Sequence, residues 1–437
     1  MRAKSVGYSS TGANVSAVPL RLLPDNSRAE SDGALSIGGV RIDSLVAEHN
    51  TPLFVYDEAQ IRARAREAVT AFGADRVIYA TKAFLCTAMA RLAHDEGLLL
   101  DVATGGELFT VLHAGVPANR CVMHGNNKSM SELRYAMSEG VRHIVVDSFD
   151  EMDRIEELHR AGLAVPRVQL RITPGVLVHT HEFVQTGQDD SKFGFNLSNG
   201  DAHRAIERAR TSDAIELVGI HCHVGSNVFA AENFAKASHV MVDLFSTLDL
   251  PELTLGGGLG VAYTEDEAAP SITQWAAVLQ DATRSLPPNA VVMVEPGRCI
   301  VASSAITVYT VGTVKPIAGI RTYIAVDGGM SDNPRPVLYG SGYEVFDPQR
   351  VLADRPEQAR VVGKHCESGD VLVNDAFVSS QVRIGDLLAT PVTGAYGYSM
   401  GSTYNKVPRP AIVFVANGTS RVVVRRETYD DLVRLDQ

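Results

Sequence analysis

Lys82 lies in the stretch RVIYATKAFL (residues 76–85), directly after the apolar run Val77-Ile78-Tyr79-Ala80 and between two small residues. A lysine at a strand end commonly does no more than extend its ammonium to solvent. The other possibility is that its amine is a reagent for a carbonyl group. Further groups able to do chemistry recur along the chain: Asp101 and Glu107 in DVATGGEL, the run HGNNK (residues 124–128), and His221, His223 and Ser226 in HCHVGSN. Gly256-Gly257-Gly258 and Glu295-Pro296-Gly297-Arg298 follow.

The surrounding pattern says how these groups are carried. Apolar, β-branched runs occur at 77–80, 98–102, 121–124, 143–147, 167–172, 216–223, 253–255 and 291–295. Helix-like segments between the early runs stop at Gly97, Gly115, Gly140 and Gly162, where glycine supplies a left-handed cap. Ser129-x-x-Glu132 and Ser148-x-x-Glu151 read as capping boxes. Alternating strands and helices imply parallel strands with crossover helices, and eight such units point to a (β/α)8 barrel over residues 50–300. An open doubly wound sheet is the alternative that the pattern leaves. After Arg298 the texture becomes strand runs separated by Gly, Pro and Asn-Gly turns, which predicts a mostly antiparallel β domain over 301–437. LSIGGVRI, within residues 31–49, supplies a strand that joins this domain, and residues 1–30 read as a polar, mobile leader.

In such a barrel the chemistry lies at the carboxyl ends of the strands, where every group named above falls. GGGLG lacks the Gly-Lys-Ser/Thr ending of a nucleotide P-loop, but a glycine run at a strand tip exposes successive N–H groups suited to a phosphate. His223 has no second ligand at H-x-x-x-H spacing, so no metal is expected. A lysine, a phosphate cradle and the carboxylate of Glu295 suit one cofactor, pyridoxal 5'-phosphate. The lysine bonds its aldehyde, and the carboxylate keeps its ring nitrogen protonated. A desolvated site with nearby cations is expected to keep Lys82 partly neutral.

YATKAF, DVATGGEL, HGNNKS, HCHVGS, GGGLG, EPGR, HCESGD and GAYGYSMGSTYN stand in the order found in the fold-type III pyridoxal-phosphate decarboxylases, which share the alanine-racemase-like barrel. GVLVHTHEFVQTGQDDSKFGF, DGGMSDNPRPVLY and YNKVPRPAIV resemble, within that group, the diaminopimelate decarboxylases. The resemblance runs from about residue 35 to the end of the chain. It implies that Lys82 carries the cofactor, that His223 stacks on its ring, and that Asp101, Gly297 and Arg298 belong to the cofactor site. Ser226, the amides of Gly256, Gly257 and Gly258, and Tyr396 would hold the phosphate, and Glu295 the ring nitrogen. Arg298, Arg335, Tyr339 and Tyr396 would bind substrate, the arginines gripping the carboxylate that does not react, and Glu367 would receive the distal ammonium. Cys366 resembles the proton donor, and its CESGD segment would come from a partner subunit, which makes the expected assembly a homodimer. Two departures stand out: Lys364 replaces the proline usual before the His365-Cys366 pair, and Asn227 replaces glutamine after Ser226.

The implied reaction is the decarboxylation of meso-2,6-diaminopimelate to L-lysine at the end of lysine biosynthesis. A related decarboxylase acting on ornithine, arginine or an amine conjugate, and a non-catalytic pyridoxal-phosphate binder, are the competing readings. A net charge of -11 argues against nucleic acid as a partner. The sequence has no run of the length a membrane helix needs, and its leader lacks the apolar region of a secretory signal. Five scattered cysteines without a C-x-x-C pair fit a reducing cytoplasm.

Overall fold

The computed structural model describes residues 16–176, 188–223 and 225–437. Eight strands, Ile78–Ala80, Leu99–Val102, Cys121–Met123, His143–Val146, Arg167–Thr173, Glu216–His221, Glu252–Thr254 and Val291–Met293, pair in chain order, every pair parallel. The first and last meet through a bridge between Val77 and Val294, with Ile78 N–H donating to Val294 O at 2.8 Å. The sheet is therefore a nearly closed barrel rather than an open sheet. A short strand, Phe195–Asn196, adds to the side of the fifth. The stretch at 177–187, part of the segment HTHEFVQTGQ and its neighbours singled out above, lies outside the described residues.

Strand periodicity explains the packing. Ile78, Leu99, Val122, Val145 and Met293 form a small cluster of their own drawn only from strands, the filling of the barrel. Their neighbours Tyr79, Leu100, Cys121 and Ile144 instead belong to the large cluster shared with the helices.

The helix boundaries follow local chemistry, with one exception. Ser129 and Glu132 form the reciprocal capping box, and Gly140 ends that helix in the left-handed conformation. At Ser148 only half of the expected box forms. The hydroxyl accepts from Glu151 N, but the Glu151 carboxylate takes the Asp147 N–H at 3.1 Å and the ammonium of Lys128 at 2.7 Å. The buried Lys128 cation and the Asp147 N–H outcompete the Ser148 backbone group.

The second domain centres on the long strand Ala305–Ile317, which pairs antiparallel with Leu53–Asp57, Arg321–Val326 and Leu387–Pro391. Glu357–Val362 and Val371–Val378 extend one side, and Ala411–Ala416 and Thr419–Val424 the other. Two of its pairings are parallel, so the sheet is mixed though mostly antiparallel. The strand Leu53–Asp57 belongs here and not to the barrel, which moves the expected boundary at residue 50 to the helix Glu58–Phe72. Its apolar run looks like a barrel strand; only its pairing partners decide otherwise.

Leu35–Ile37 and Val40–Arg41 form a separate three-stranded sheet with Ser27–Ala29, joined to the larger sheet by packing of Leu35 and Ile37 against Leu53, Val55 and Val308. Val18, Leu22 and Leu23 are buried, so packed chain begins well before residue 31, inside the expected leader. No helix among the described residues is long and apolar enough to cross a membrane.

Candidate active site

The residue two positions beyond each barrel-filling side chain shares its face and so points into the mouth of the barrel. Leu99 is followed in this way by Asp101, Val122 by His124, Val145 by Asp147 and Met293 by Glu295. Asp101, His124 and Glu295, together with Lys82 on the turn Thr81–Ala83 beyond the first strand, line a cavity of about 810 Å³. Arg171, His221, His223, Ser226, Asn227, Gly258, Gly297, Arg298, Arg335, Tyr339 and Tyr396 line it as well. Most of the residues expected to bind cofactor or substrate therefore converge on one space.

Glu295 is the electrostatic centre. His221 Nε2 donates to its Oε2 at 2.9 Å, and His124 Nε2 lies 2.9 Å from its Oε1 without the alignment of a hydrogen bond. Burial alone would raise the Glu295 carboxyl, but His221 and His124 outweigh it and hold it well below the usual carboxylate range. Burial presses the His124 imidazolium down, yet Asp101 and Glu295 raise it on balance, whereas burial wins at His221 and lowers it. The two imidazoles beside this carboxylate are thus shifted in opposite directions, His124 toward the cation and His221 toward the neutral donor. These three groups lie within 4.8 Å of one another, a set of the kind that can hold a metal. Sequence spacing could not reveal it, because the groups come from three different strand tips.

Lys82 departs from expectation. Burial pulls its ammonium down and Arg171 adds to that, but Asp101, Tyr396 and Glu295 outweigh both and leave it raised. It is a cation in this site rather than a partly neutral amine. His223, by contrast, is lowered well below its usual range by burial, Lys82 and Arg171, and is neutral. Its Nδ1 accepts the Gly257 N–H at 3.3 Å.

The glycine run is a turn that no other residue fits. A Cβ on Gly257 would stand 2.0 Å from Glu295 O, and one on Gly258 2.0 Å from Gly225 O. Ser226 Oγ accepts from Arg298 Nη2 at 2.9 Å beside it. Tyr396 holds a positive φ of 62°, its N–H donates to Ala83 O at 2.8 Å, and Arg298 lies 4.8 Å over its ring. Arg298 and Arg335 are both buried, and among the described residues neither has an acidic partner.

Cys366 and Glu367 lie elsewhere. Both are exposed, and neither lines the cavity of its own chain; Cys366 N–H donates to Asn405 Oδ1 at 3.1 Å. His365 between them and Lys364 is buried, its Nε2 2.8 Å from Ser331 Oγ. Lys364 uses the N–H that a proline would lack, donating to Gly328 O at 2.9 Å. Asn227, the other departure, sits at φ 59° with its Oδ1 buried and without a hydrogen bond.

Sequence reasoning assigned no role to Arg171, Tyr263 and Tyr343. Arg171 carries a readable signal, a charge between Leu170 and Ile172 in the strand RVQLRIT; the two tyrosines carry none.

The cavity suits pyridoxal phosphate on its own evidence. Glu295 Oε1 and Asp101 Oδ1 are buried without a hydrogen-bond partner, Lys82 offers an amine, and Gly258 and Ser226 line the same cavity where a phosphate would need donors.

Comparison with known proteins agrees. Residues 58–302 match the pyridoxal-dependent decarboxylase family model for the pyridoxal binding domain. A diaminopimelate decarboxylase of Bacillus subtilis is 46% identical over 95% of this chain and 98% of its own length, and one of Mycobacterium tuberculosis 45% over 94% and 97%. The crystal structure of diaminopimelate decarboxylase from M. jannaschii superposes with a TM-score of 0.87 at 29% identity, covering 94% of this chain and 98% of that one. The chain belongs to the pyridoxal-dependent decarboxylases, in the diaminopimelate decarboxylase family.

Proposed function

We propose that this cavity, with pyridoxal phosphate held at Lys82, removes one carboxylate from meso-2,6-diaminopimelate and releases L-lysine and carbon dioxide. Arg298 and Arg335 carry the reading: two buried guanidinium groups in one cavity wall, unmatched by any acidic side chain among the described residues. Buried cations of this kind call for an anionic ligand. A substrate with a second amino-acid end keeps one carboxylate for them through the reaction. A simple diamino acid loses its only carboxylate and leaves them unpaired, a penalty of several kcal/mol.

When bound, the cofactor supplies an electron sink for the pair released as the carbon–carboxylate bond breaks. Glu295, held ionised by its two histidines, would accept from a protonated ring nitrogen. Lys82 would hold the aldehyde through its amine, and Asp101 is the carboxylate acting most strongly on that amine. His223, neutral, would stack on the ring, and Ser226, Tyr396 and the Gly258 amide would hold the phosphate; Gly256 and Gly257, expected beside them, do not line the cavity, and the Gly257 N–H is taken by His223 Nδ1. Arg298, Arg335 and Tyr339 grip the surviving carboxylate.

Carbon dioxide leaves a carbon that needs a proton, and Cys366 supplies it from its thiol while Glu367 receives the distal ammonium. Both belong to a loop outside the cavity of their own chain, so each cavity takes that loop from a second copy in a homodimer. All five cysteines are free, in keeping with a reducing cytoplasm, and the product L-lysine places the step at the end of lysine biosynthesis.

The test is carbon dioxide release by the cofactor-loaded protein offered meso-2,6-diaminopimelate, L-ornithine or L-lysine. Turnover of the first alone, with L-lysine appearing in step, is expected. Equal turnover of L-ornithine would overturn the carboxylate clamp.

A further inference from the structure

Tyr263 joins the two cavity arginines. Its hydroxyl accepts from Arg298 Nη1 at 2.6 Å, and the Arg335 guanidinium lies over its ring, Cζ 4.2 Å from the centroid. Tyr343 completes the group. Its hydroxyl accepts from Arg335 Nη1 at 2.6 Å, and its ring meets that of Tyr263 edge-on, centroids 5.3 Å apart at 74°. Tyr263 is 3% exposed, and its backbone N–H donates to Glu267 Oε2 at 2.7 Å, so the ring is anchored from its own loop.

We infer that Tyr263 is a positioning residue for substrate: it holds Arg298 and Arg335 in fixed register so that both present N–H groups to one carboxylate. The inference rests on the reading above, in which these arginines bind the carboxylate that survives the reaction. Two guanidinium groups in one buried wall repel each other, and each side chain has several rotatable bonds with which to turn away. Tyr263 opposes both tendencies with two different faces of one side chain. Its hydroxyl engages one arginine as a hydrogen-bond acceptor, and its π face engages the other. Arginines fixed before the ligand arrives lose less conformational freedom on binding, which appears as affinity and as selectivity for the carboxylate.

The arrangement also explains why a tyrosine is used. Phenylalanine would keep the stack on Arg335 and lose the acceptor for Arg298. Leucine would lose both.

The experiment is equilibrium binding of L-lysine and of 1,5-diaminopentane, which is L-lysine without its carboxylate, to cofactor-loaded wild type, Tyr263→Phe and Tyr263→Leu. Melting temperature and cofactor absorbance are recorded on the same samples. Tyr263→Phe should bind L-lysine about tenfold more weakly, the effect of one hydrogen bond to a charged group. Tyr263→Leu should lose about a further fivefold with the cation–π contact. Binding of 1,5-diaminopentane, cofactor absorbance and the melting temperature of Tyr263→Phe should stay at wild-type values. L-lysine binding unchanged in Tyr263→Phe overturns the inference, as does a loss matched by equal losses of cofactor and melting temperature. A wild type that does not prefer L-lysine to 1,5-diaminopentane would sink the substrate reading itself and the inference with it; failure in the variants alone removes only Tyr263.

Discussion

The carboxylate of Asp370 accepts the backbone N–H of Met330 at 2.7 Å, and so ties the loop that bears Cys366 to the loop that leads into Arg335. Its other oxygen accepts the His365 N–H at 2.9 Å. The join is tight. A Cβ on Gly329 would lie 2.6 Å from either Asp370 oxygen, and one on Gly363 2.2 Å from Oδ2. The exposed loop carrying Cys366 and Glu367 is therefore built within the single chain, ready to be presented elsewhere.

Asp370→Ala should loosen that loop without touching the cofactor site. It strands two backbone donors, and the expected loss of stability is about 2 kcal/mol. Turnover should fall about tenfold or more, because small misplacements of a reacting group are costly. Bound cofactor, read by absorbance, should remain at one per chain; its loss would show that Asp370 supports the cavity rather than the loop.

The proposed sharing of active sites between two chains makes a sharper demand on mixed dimers. Lys82→Ala and Cys366→Ala proteins should each be inactive alone. In a dimer containing one of each, one site carries both changes and the other carries neither. Random exchange in an equal mixture should restore about a quarter of wild-type activity. No recovery after exchange, demonstrated with differently tagged chains, would place Cys366 in its own chain's site.

Much of this was legible in the sequence because it obeys period two. Asp101, His124 and Glu295 each stand two residues beyond an apolar residue that fills the barrel, so strand assignment alone aimed them at one mouth. The ends of the helices were legible where the signal was local, as at Ser129 and Gly140. What failed was decided over distance. Glu151 leaves its expected cap for Lys128, 23 residues away, and Leu53–Asp57 joins the second domain because its partners lie at 305–308 and 411–415. Tyr263 and Tyr343 stand in no pattern, and only the fold brings them to the arginines. The charge on Lys82 depended on the balance of Asp101 against burial, which no spacing encodes.

Glu295→Gln should separate cofactor binding from chemistry. The amide keeps the shape and an acceptor oxygen for His221, so the barrel mouth should hold together and cofactor should still load. It has no negative charge with which to hold a ring nitrogen protonated. Turnover should fall by about a hundredfold or more, as when a placed electrostatic group is removed. Near-wild-type turnover with full cofactor occupancy would show that Glu295 does not serve the ring nitrogen.

Asp332 links stability to pH away from the reacting groups. Burial, with Asp370 and Asp327 nearby, raises its carboxyl to about 7 from an ordinary value of 3.8, against the opposing hydrogen bond from Gly329 N at 2.7 Å. Its Oδ2 is buried without a hydrogen-bond partner, and the Tyr309 hydroxyl is likewise unsatisfied. A folded value above the unfolded one means that the folded chain holds the extra proton between the two. This contribution to stability is full below the unfolded value and is lost as pH rises through about 7. Asp332→Asn keeps the oxygen that accepts from Gly329 and offers an amide in place of the buried charge. Its melting temperature should therefore equal or exceed that of wild type at about pH 8, and should fall less than wild type between about pH 5 and that value. Parallel melting curves for the two proteins across that range would mean that Asp332 is ionised throughout and that another group sets the slope.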